Sequence, residues 1–250
     1  MSPDAAQQKI PKLIVPAYFH PLTHPREWAS LVQQAPHIEL VVLNPESGPG
    51  SQCDPAFIDA LAPLTAAGVA VAGYVDTNYG HRPPAEVLAD IGLYQDWYGV
   101  TSVFFDRSAA GTEQVSHYAS LTDAARQMGT ALVAYNQGVH PVQAYADQAD
   151  LLGTFEGTWR TYLEVAVPRW VQSRPATQFF HLVYSVPRHS FGDAYWLASR
   201  RNSGLAYVTD HGGDNPWDRL PAGEIDPDEL WAEFTQNVSV SAADDPEPQS

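Results

Sequence analysis

The stretch Val103-Phe104-Phe105-Asp106 joins a short run of uncharged β-branched and aromatic residues to a single carboxylate. Two further stretches have the same form, Gly73-Tyr74-Val75-Asp76 and Gly153-Thr154-Phe155-Glu156. Runs of this composition are typical of parallel strands that are buried on both faces. Their repetition predicts a parallel sheet in which several strands end in a polar residue.

Outward from these stretches, strand-like and helix-like runs alternate from Leu13 to about Val238, with short turns between them. This is the pattern of strands that are each followed by a helix. The predicted strands are Leu13–Phe19, Glu39–Leu43, Val69–Val75, Ser102–Phe105, Ala131–Asn136, Leu151–Phe155, Phe180–Ser185 and Leu205–Thr209. The predicted helices are Glu27–Gln34, Pro55–Ala67, Ala85–Trp97, Glu113–Met128, Val142–Ala149, Thr161–Val171, Asp193–Arg201 and Asp228–Phe234.

Eight strand-helix units in 250 residues predict a single (β/α)8 barrel, the TIM barrel of the α/β class. The alternative is an open, doubly wound sheet. Its first turn would carry a glycine-rich phosphate loop, whereas this chain has Phe19-His20-Pro21-Leu22-Thr23 after the first strand. We assign residues 1–12 to an N-terminal extension, 13–238 to the barrel and 239–250 to a disordered acidic tail.

Three turns carry recognisable local signals. The pair Asp54-Pro55 has the form of a helix N-cap that is followed by proline in the first turn. Gly68 and Gly129 each follow a helical run and predict left-handed helix ends.

Composition narrows the class of partner. The chain has 13 Lys and Arg against 29 Asp and Glu, for a net charge of −16, which argues against nucleic acid or an anionic membrane and favours a cationic or neutral ligand. Acidity for solubility alone is the simpler interpretation. No run approaches the roughly 20 apolar residues of a membrane-spanning helix. Met1 to Lys12 contain no secretory segment, so we expect a cytoplasmic protein or one without its export signal.

Neither a metal nor a cofactor is expected. Cys53 is the only cysteine, which excludes an internal disulfide and a thiolate metal site. The histidines lack ligand spacing, since His20 and His24 lie in one loop and His211 in another. A serine-hydrolase elbow is also missing from the sequence.

A (β/α)8 barrel builds its active site from the carboxyl ends of its strands, so the residues there are the candidates. In chain order these are Tyr18, Asn44, Asp76, Asp106, Asn136, Glu156, Ser185 and Asp210. The set is rich in acids and amides and contains no cation.

Asp106 and Glu156 end the fourth and sixth strands, and side chains from alternate strands share a layer of the barrel. We therefore expect them to face one another at the spacing that glycoside hydrolysis uses. Glu156, enclosed by aromatic residues, is the predicted general acid, and Asp106 the nucleophile or base, although the roles could be exchanged. For either residue alone, a helix cap or an ion pair is an equal interpretation.

The remaining strand-end residues are candidates for binding a saccharide. Asp76 could contact the substrate or cap its loop. Asn44 could hydrogen-bond a sugar hydroxyl or simply hold the rigid loop Asn44–Gly50. Asn136 and Asp210 are assigned to the same role. Aromatic rings near strand ends could carry sugar faces or serve in packing; these are Tyr18, Tyr74, Tyr79, Tyr135, Trp159 and Trp217.

Several of these motifs, taken in order, resemble the spherulin-4-like family. They are Val15-Pro16-Ala17-Tyr18, Leu43-Asn44-Pro45 with Gly48-Pro49-Gly50, Gly73-Tyr74-Val75-Asp76-Thr77, Tyr94 with Trp97-Tyr98, Phe104-Phe105-Asp106 and Phe155-Glu156. The resemblance implies a (β/α)8 glycosidase related to endo-α-1,4-N-acetylgalactosaminidases and polygalactosaminidases, with Asp106 and Glu156 as the catalytic pair. It also implies a polysaccharide substrate that can be cationic when it is partly de-N-acetylated.

The sequence departs from the family pattern at two positions. A glutamate usually follows the strand-four aspartate, and this chain has Arg107. Arg107 either turns toward the site or faces the helices, because adjacent strand residues point in opposite directions. Gln137 stands where a proline is usual, which affects the shape of the loop. The rival hypothesis is a non-catalytic saccharide-binding or developmental protein that lost turnover through Arg107.

Overall fold

The computed structural model describes residues 10–221, and eight parallel strands form a closed barrel in chain order. Their bounds are β1 Lys12–Ala17, β2 Ile38–Leu43, β3 Ala70–Asp76, β4 Ser102–Asp106, β5 Val133–Asn136, β6 Leu151–Thr158, β7 Phe179–Tyr184 and β8 Leu205–Val208. The eight predicted strands are confirmed, with small shifts at their ends. β6 extends beyond its predicted end at Phe155.

Pairing between the first and last strands closes the sheet. Lys12 pairs with Leu205 and Leu13 with Ala206, so neither β1 nor β8 presents a free edge there. This excludes the open, doubly wound alternative. Inside the barrel, the rings of Phe104 and Phe180 lie 5.7 Å apart and fill the interior beneath the carboxyl ends of the strands.

Seven α-helices are present within residues 10–221. They are α1 Pro25–Gln33, α2 Pro55–Ala66, α3 Pro84–Tyr98, α4 Val115–Gln127, α5 Trp159–Leu163, α6 Arg169–Gln172 and α7 Phe191–Arg200. The predicted helix Asp228–Phe234 lies outside the described residues, as do residues 1–9 and the predicted tail.

Two of the helix predictions were wrong. The segment predicted as a helix over Val142–Ala149 is a 3-10 turn, Gln143–Asp147, which is held by a hydrogen bond from the buried Tyr145 hydroxyl to Gly111 O at 2.9 Å. The helix predicted over Thr161–Val171 is broken into α5 and α6. Pro168 is extended, with ψ 146°, and proline also keeps the residue before it out of the helical region.

The local turn signals are confirmed. The Asp54 side chain accepts a hydrogen bond from Ala56 N at 2.9 Å and caps α2. Gly68 and Gly129 adopt φ of +82° and +88°, the left-handed conformation that ends a helix without a steric penalty.

The contact between Gly73 and Tyr94 fixes α3 against the barrel. A Cβ at Gly73 would lie 2.4 Å from the Tyr94 ring, and the Tyr94 hydroxyl donates to Leu43 O at 3.1 Å. The buried ring therefore packs directly on the backbone of β3, where only glycine leaves room for it.

We expect Gly73→Ala to lower the free energy of unfolding by about 1–3 kcal/mol, because the added methyl overpacks the ring. Urea denaturation measures the change. The control is Gly92→Ala inside α3, where the nearest atom to an added Cβ is 3.8 Å away. There the same substitution should stabilise the protein by up to about 1 kcal/mol. Equal stability of Gly73→Ala and the unaltered protein would contradict the analysis.

Candidate active site

Asp106 ends β4 and Glu156 lies two residues before the end of β6, and the two meet at the carboxyl face of the barrel, where the strand-end rule indicated an active site. Together with Asn136 they line a cavity of about 340 Å³ that opens at this face of the barrel. The other lining residues are Tyr79, Arg107, Gln137, Gly138, Val139 and Tyr184. The cavity is large enough for a sugar residue and places both carboxylates in its wall.

Asn136, the last residue of β5, lies between the two acids. Its Nδ2 donates to Asp106 Oδ1 at 2.8 Å and to Glu156 Oε2 at 2.5 Å. Because one nitrogen bonds both, the two carboxylate oxygens are separated by at most the two bond lengths laid end to end, about 5.3 Å. A single amide thus holds the two acids at a fixed separation.

Asp106 is partly buried and has a second hydrogen-bond donor. The Tyr74 hydroxyl donates to its Oδ2 at 2.9 Å. Burial raises the pKa of Asp106, and the hydrogen bonds from Asn136 and Tyr74, which favour the ionised form, partly offset that rise. The carboxylate is therefore oriented through both of its oxygens.

Glu156 has the more strongly shifted pKa of the pair. Burial, and after it the negative charge of Asp106, raise the pKa of Glu156 to about 7. Hydrogen bonds from Asn136 and from the buried Trp217 act in the opposite direction. Since the charge of Asp106 is one cause of the shift, an ionised Asp106 favours the protonated form of Glu156.

An irregularity in the sheet directs Glu156 into the cavity. Between β6 and β7 the register shifts between Gly153 and Phe155, so Glu156 pairs with Leu182. Because side chains alternate between the two faces of a strand, a shift of one position changes the direction of every side chain after it. Sequence patterning does not reveal such a shift.

Gly153 also makes room for the bridging amide. A Cβ at this position would lie 2.5 Å from Asn136 Oδ1. The amide therefore sits with its oxygen against the Gly153 backbone and its nitrogen toward the acids, and a larger residue at Gly153 would displace it.

Arg107 turns toward the cavity rather than toward the helices. Its φ of 49° takes the backbone out of the extended conformation, so the alternation of strand side chains ends at Asp106. The guanidinium lies 3.4 Å from the Asp76 carboxylate, bonds Asn78 and stands 5.3 Å over the Tyr79 ring. The site thus contains a cation that the set of strand-end residues lacked.

The other predicted binding residues differ in their placement. The Tyr18 ring lies 5.5 Å from Tyr74 at the base of the site, and burial, then the charge of Asp106, raise its pKa. Asn44 Oδ1 accepts from Gly48 N at 2.9 Å and so holds its own loop. Trp159 packs against Tyr162, and Asp210 lies 3.8 Å from His211 Nε2; neither lines the cavity.

Sequence reasoning missed Gln137, Gly138, Val139 and Tyr184 as lining residues. The first three follow Asn136 directly, so the loop after β5 carried the available signal. Tyr184 is the last residue of β7, whereas the prediction placed the end of that strand at Ser185. An error of one residue in a strand boundary accounts for that omission.

The part of the chain that the structure describes, residues 10–221, contains no group of three or more potential metal ligands. None of the helices in this part is both long enough and apolar enough to cross a bilayer.

The closed barrel of eight parallel strands, with two acids at its carboxyl face, defines a (β/α)8 protein of the α/β class. The chain belongs to spherulation-specific family 4, whose sequence model matches residues 12–238. The resemblance inferred from the motifs is thereby confirmed. Spherulin-4 of Physarum polycephalum is 30% identical over 213 residues, which cover 80% of this chain and 63% of spherulin-4. The chain therefore spans less than two thirds of that relative's length.

Two solved structures share the fold. The Aspergillus clavatus Sph3 structure, in complex with GalNAc, superposes with a TM-score of 0.73 at 24% identity and covers 91% of this chain and 96% of its own. Chitinase ChiC of Aspergillus fumigatus gives a TM-score of 0.54 at 12% identity, with 91% and 99% covered. At these identities the likeness concerns the barrel fold alone.

We expect Glu156→Gln to stabilise the protein at alkaline pH and not at pH 4. The Glu156 pKa of about 7 lies above its ordinary 4.5, so its contribution to stability is complete below pH 4.5 and is lost as the pH rises through 7. Removing the ionisable group should therefore raise the free energy of unfolding at pH 8 by about 1–3 kcal/mol relative to the effect at pH 4.

Urea denaturation at both pH values measures this difference. The control, Glu164→Gln, removes a carboxylate from the exposed end of α5 and accounts for the loss of one surface charge. A difference between pH 4 and pH 8 that is no larger for Glu156→Gln than for Glu164→Gln would show that Glu156 ionises as an ordinary surface acid.

Proposed function

We propose that this protein is a glycoside hydrolase that cleaves an α-linked polysaccharide containing galactosamine or N-acetylgalactosamine, by a two-carboxylate mechanism. The observation that carries the proposal is the pair Asp106 and Glu156, bridged by Asn136 in the wall of a sugar-sized cavity. Asp106 and Glu156 are the proposed catalytic residues.

The pKa values support distinct roles for the two acids. Glu156, with a pKa raised to about 7, keeps a proton near neutral pH and is the proposed general acid. Asp106 accepts hydrogen bonds at both oxygens, and these favour its ionised form, which suits a nucleophile. Near neutral pH, Asp106 would thereby be charged and Glu156 neutral, as the proposed roles require.

The spacing supports retention of anomeric configuration. Retaining glycosidases hold their carboxyl groups about 5–5.5 Å apart, whereas inverting enzymes need about 6.5–9.5 Å to admit a water molecule. The limit of about 5.3 Å between Asp106 Oδ1 and Glu156 Oε2 fits the first class. Asn136 would then fix the stereochemical outcome as well as the geometry.

In the proposed reaction, an Asp106 oxygen attacks the anomeric carbon while Glu156 protonates the departing glycosidic oxygen. A glycosyl ester forms on Asp106 and the first product leaves with the Glu156 proton. Glu156, now ionised, takes a proton from water, whose oxygen attacks the anomeric carbon and releases Asp106. The second step restores the protonated Glu156 and the ionised Asp106.

The choice of substrate draws on the relatives. Sph3, which shares the fold, was solved with GalNAc bound. Family membership supports an amino-sugar polymer, and the cavity residues Tyr79, Asn136 and Tyr184 offer an aromatic and amide lining suited to a saccharide. A non-catalytic saccharide-binding or developmental protein on the same scaffold remains the rival hypothesis.

We expect Asp106→Asn and Glu156→Gln each to reduce cleavage of α-1,4-linked N-acetylgalactosamine oligomers by about a thousandfold or more, because both steps need both acids. Release of reducing ends measures the rate. On an aryl glycoside whose leaving group needs no protonation, Glu156→Gln should recover much of its glycosylation rate and Asp106→Asn should not.

The surface variant Glu164→Gln serves as the control for charge. Binding of the oligomers by the unaltered protein without turnover would support the rival hypothesis. Recovery by Asp106→Asn in place of Glu156→Gln would mean that the roles are exchanged.

We expect kcat/KM to fall above about pH 7 as Glu156 loses its proton, and to fall on the acidic side as Asp106 gains one. Asn136→Ala removes hydrogen bonds that lower the pKa of both acids, so both limbs of the profile should move to higher pH. A pH–rate profile measures the shift.

Asn44→Ala is the matched control, because this asparagine directly follows β2 but bonds only its own loop among the contacts described. It should leave both limbs in place. Limbs that do not move in Asn136→Ala would contradict the bridging role.

A further inference from the structure

Tyr79 and Arg107 line the cavity beside Asp106, and Asp76 contacts Arg107. These three residues are together called the Arg107 shelf. The Arg107 guanidinium lies 5.3 Å over the Tyr79 ring and 3.4 Å from the Asp76 carboxylate. Tyr79 is 52% exposed and the Arg107 side chain 45% exposed. The shelf is therefore open to a ligand that enters the cavity.

Hydrogen bonds hold the backbone of the shelf in a strained conformation. Asn78, Tyr79 and Arg107 all have positive φ, at 46°, 57° and 49°, a conformation that is unfavourable for residues other than glycine. Hydrogen bonds fix it, since Tyr79 N donates to Arg107 O at 2.6 Å and Thr77 Oγ1 donates to the same oxygen at 3.0 Å. Strain of this kind clusters where a protein positions groups for a ligand.

The shelf also changes the local charge. Arg107 is the only cation among the lining residues in the described part of the chain, in a protein whose net charge is −16. Its Nη1 faces Asp76 and its Nη2 bonds Asn78, but a guanidinium carries five N–H donors and can also donate to a neutral oxygen. A protonated amine at the same place would meet a like charge.

We propose that the Arg107 shelf is a charge-selective sugar subsite that accepts an uncharged residue, N-acetylated or unsubstituted, and rejects a protonated amino sugar. The aromatic ring of Tyr79 offers a face to the sugar, Arg107 donates to its hydroxyl or acetamide oxygens, and Asp76 holds Arg107 in position. The overall acidity of the chain favours a cationic polymer, whereas the Arg107 guanidinium in the cavity wall opposes a cation beside the catalytic pair. The inference rests on the proposed function.

The test compares two α-1,4-linked galactosamine oligomers of equal length near pH 6.5, one fully N-acetylated and one partly de-N-acetylated. We expect the unaltered protein to favour the acetylated oligomer by about tenfold or more in kcat/KM, which corresponds to roughly 1.4 kcal/mol. Arg107→Glu should lower that ratio by about tenfold and Arg107→Gln by less, because like-charge repulsion is reversed in one and only removed in the other. Added salt at 0.5 M should reduce the differences in this ratio between the unaltered protein and the Arg107 variants.

Arg26→Glu is the matched control, because it makes the same charge change on exposed α1, away from the cavity. Its ratio should equal that of the unaltered protein. The proposal is overturned if Arg107→Glu changes the kcat/KM ratio of the two oligomers by less than twofold. It is also overturned if Arg26→Glu changes that ratio as much as Arg107→Glu does. Thermal unfolding shows whether each variant is folded. If Arg107→Glu does not fold, Arg107→Gln still tests the proposal.

Binding separates this inference from the proposed function. Calorimetric titration of both oligomers into the Asp106→Asn protein, with and without the Arg107 changes, measures the same ratio without turnover. Selective binding that depends on Arg107, in a protein that cleaves neither oligomer, supports the shelf and contradicts the hydrolase. Cleavage of both oligomers with no effect of Arg107 on either rates or binding supports the hydrolase and contradicts the shelf.

Discussion

The candidate site depends on one interaction, the pair of hydrogen bonds that Asn136 donates to Asp106 and Glu156. Two carboxylates this close repel each other when both are ionised, and each is further disfavoured by burial. An amide with two N–H groups can satisfy both without bringing a charge of its own. The bridge therefore permits two acids to share a small space while they keep different protonation states.

The surrounding structure serves that bridge. β4, β5 and β6 are adjacent in the barrel, so the three side chains come from three neighbouring strand ends. Gly153 leaves space for the amide oxygen, and the register shift in β6 turns Glu156 toward it. Tyr74 and Trp217 orient the outer sides of the two acids. The path of the backbone in β4, β5 and β6 therefore brings the two acids and the amide together.

Much of this could be predicted from the sequence, because the periodic alternation of strands and helices and the polar residue at each strand end are local patterns. Asp106, Asn136 and Glu156 followed from that rule. The helix predicted across Pro168 was wrong because this proline lies inside an apolar run and interrupts the helix there. The direction of Arg107 could not be predicted, since it depends on a left-handed φ at a residue that is not glycine. Gln137 and Val139 were missed because they lie in a loop whose path depends on tertiary contacts.

The closing pair between β1 and β8 also governs when the protein can fold. Lys12 and Leu205 lie almost at opposite ends of the described chain, and the barrel has exposed strand edges until both are present. At about 5–20 residues per second, a ribosome needs roughly 10 to 40 s to make the intervening segment. During that interval β1 lacks its pairing partner β8 and presents an open edge. Other unfinished chains could pair with that edge, so the nascent chain must be kept apart from them.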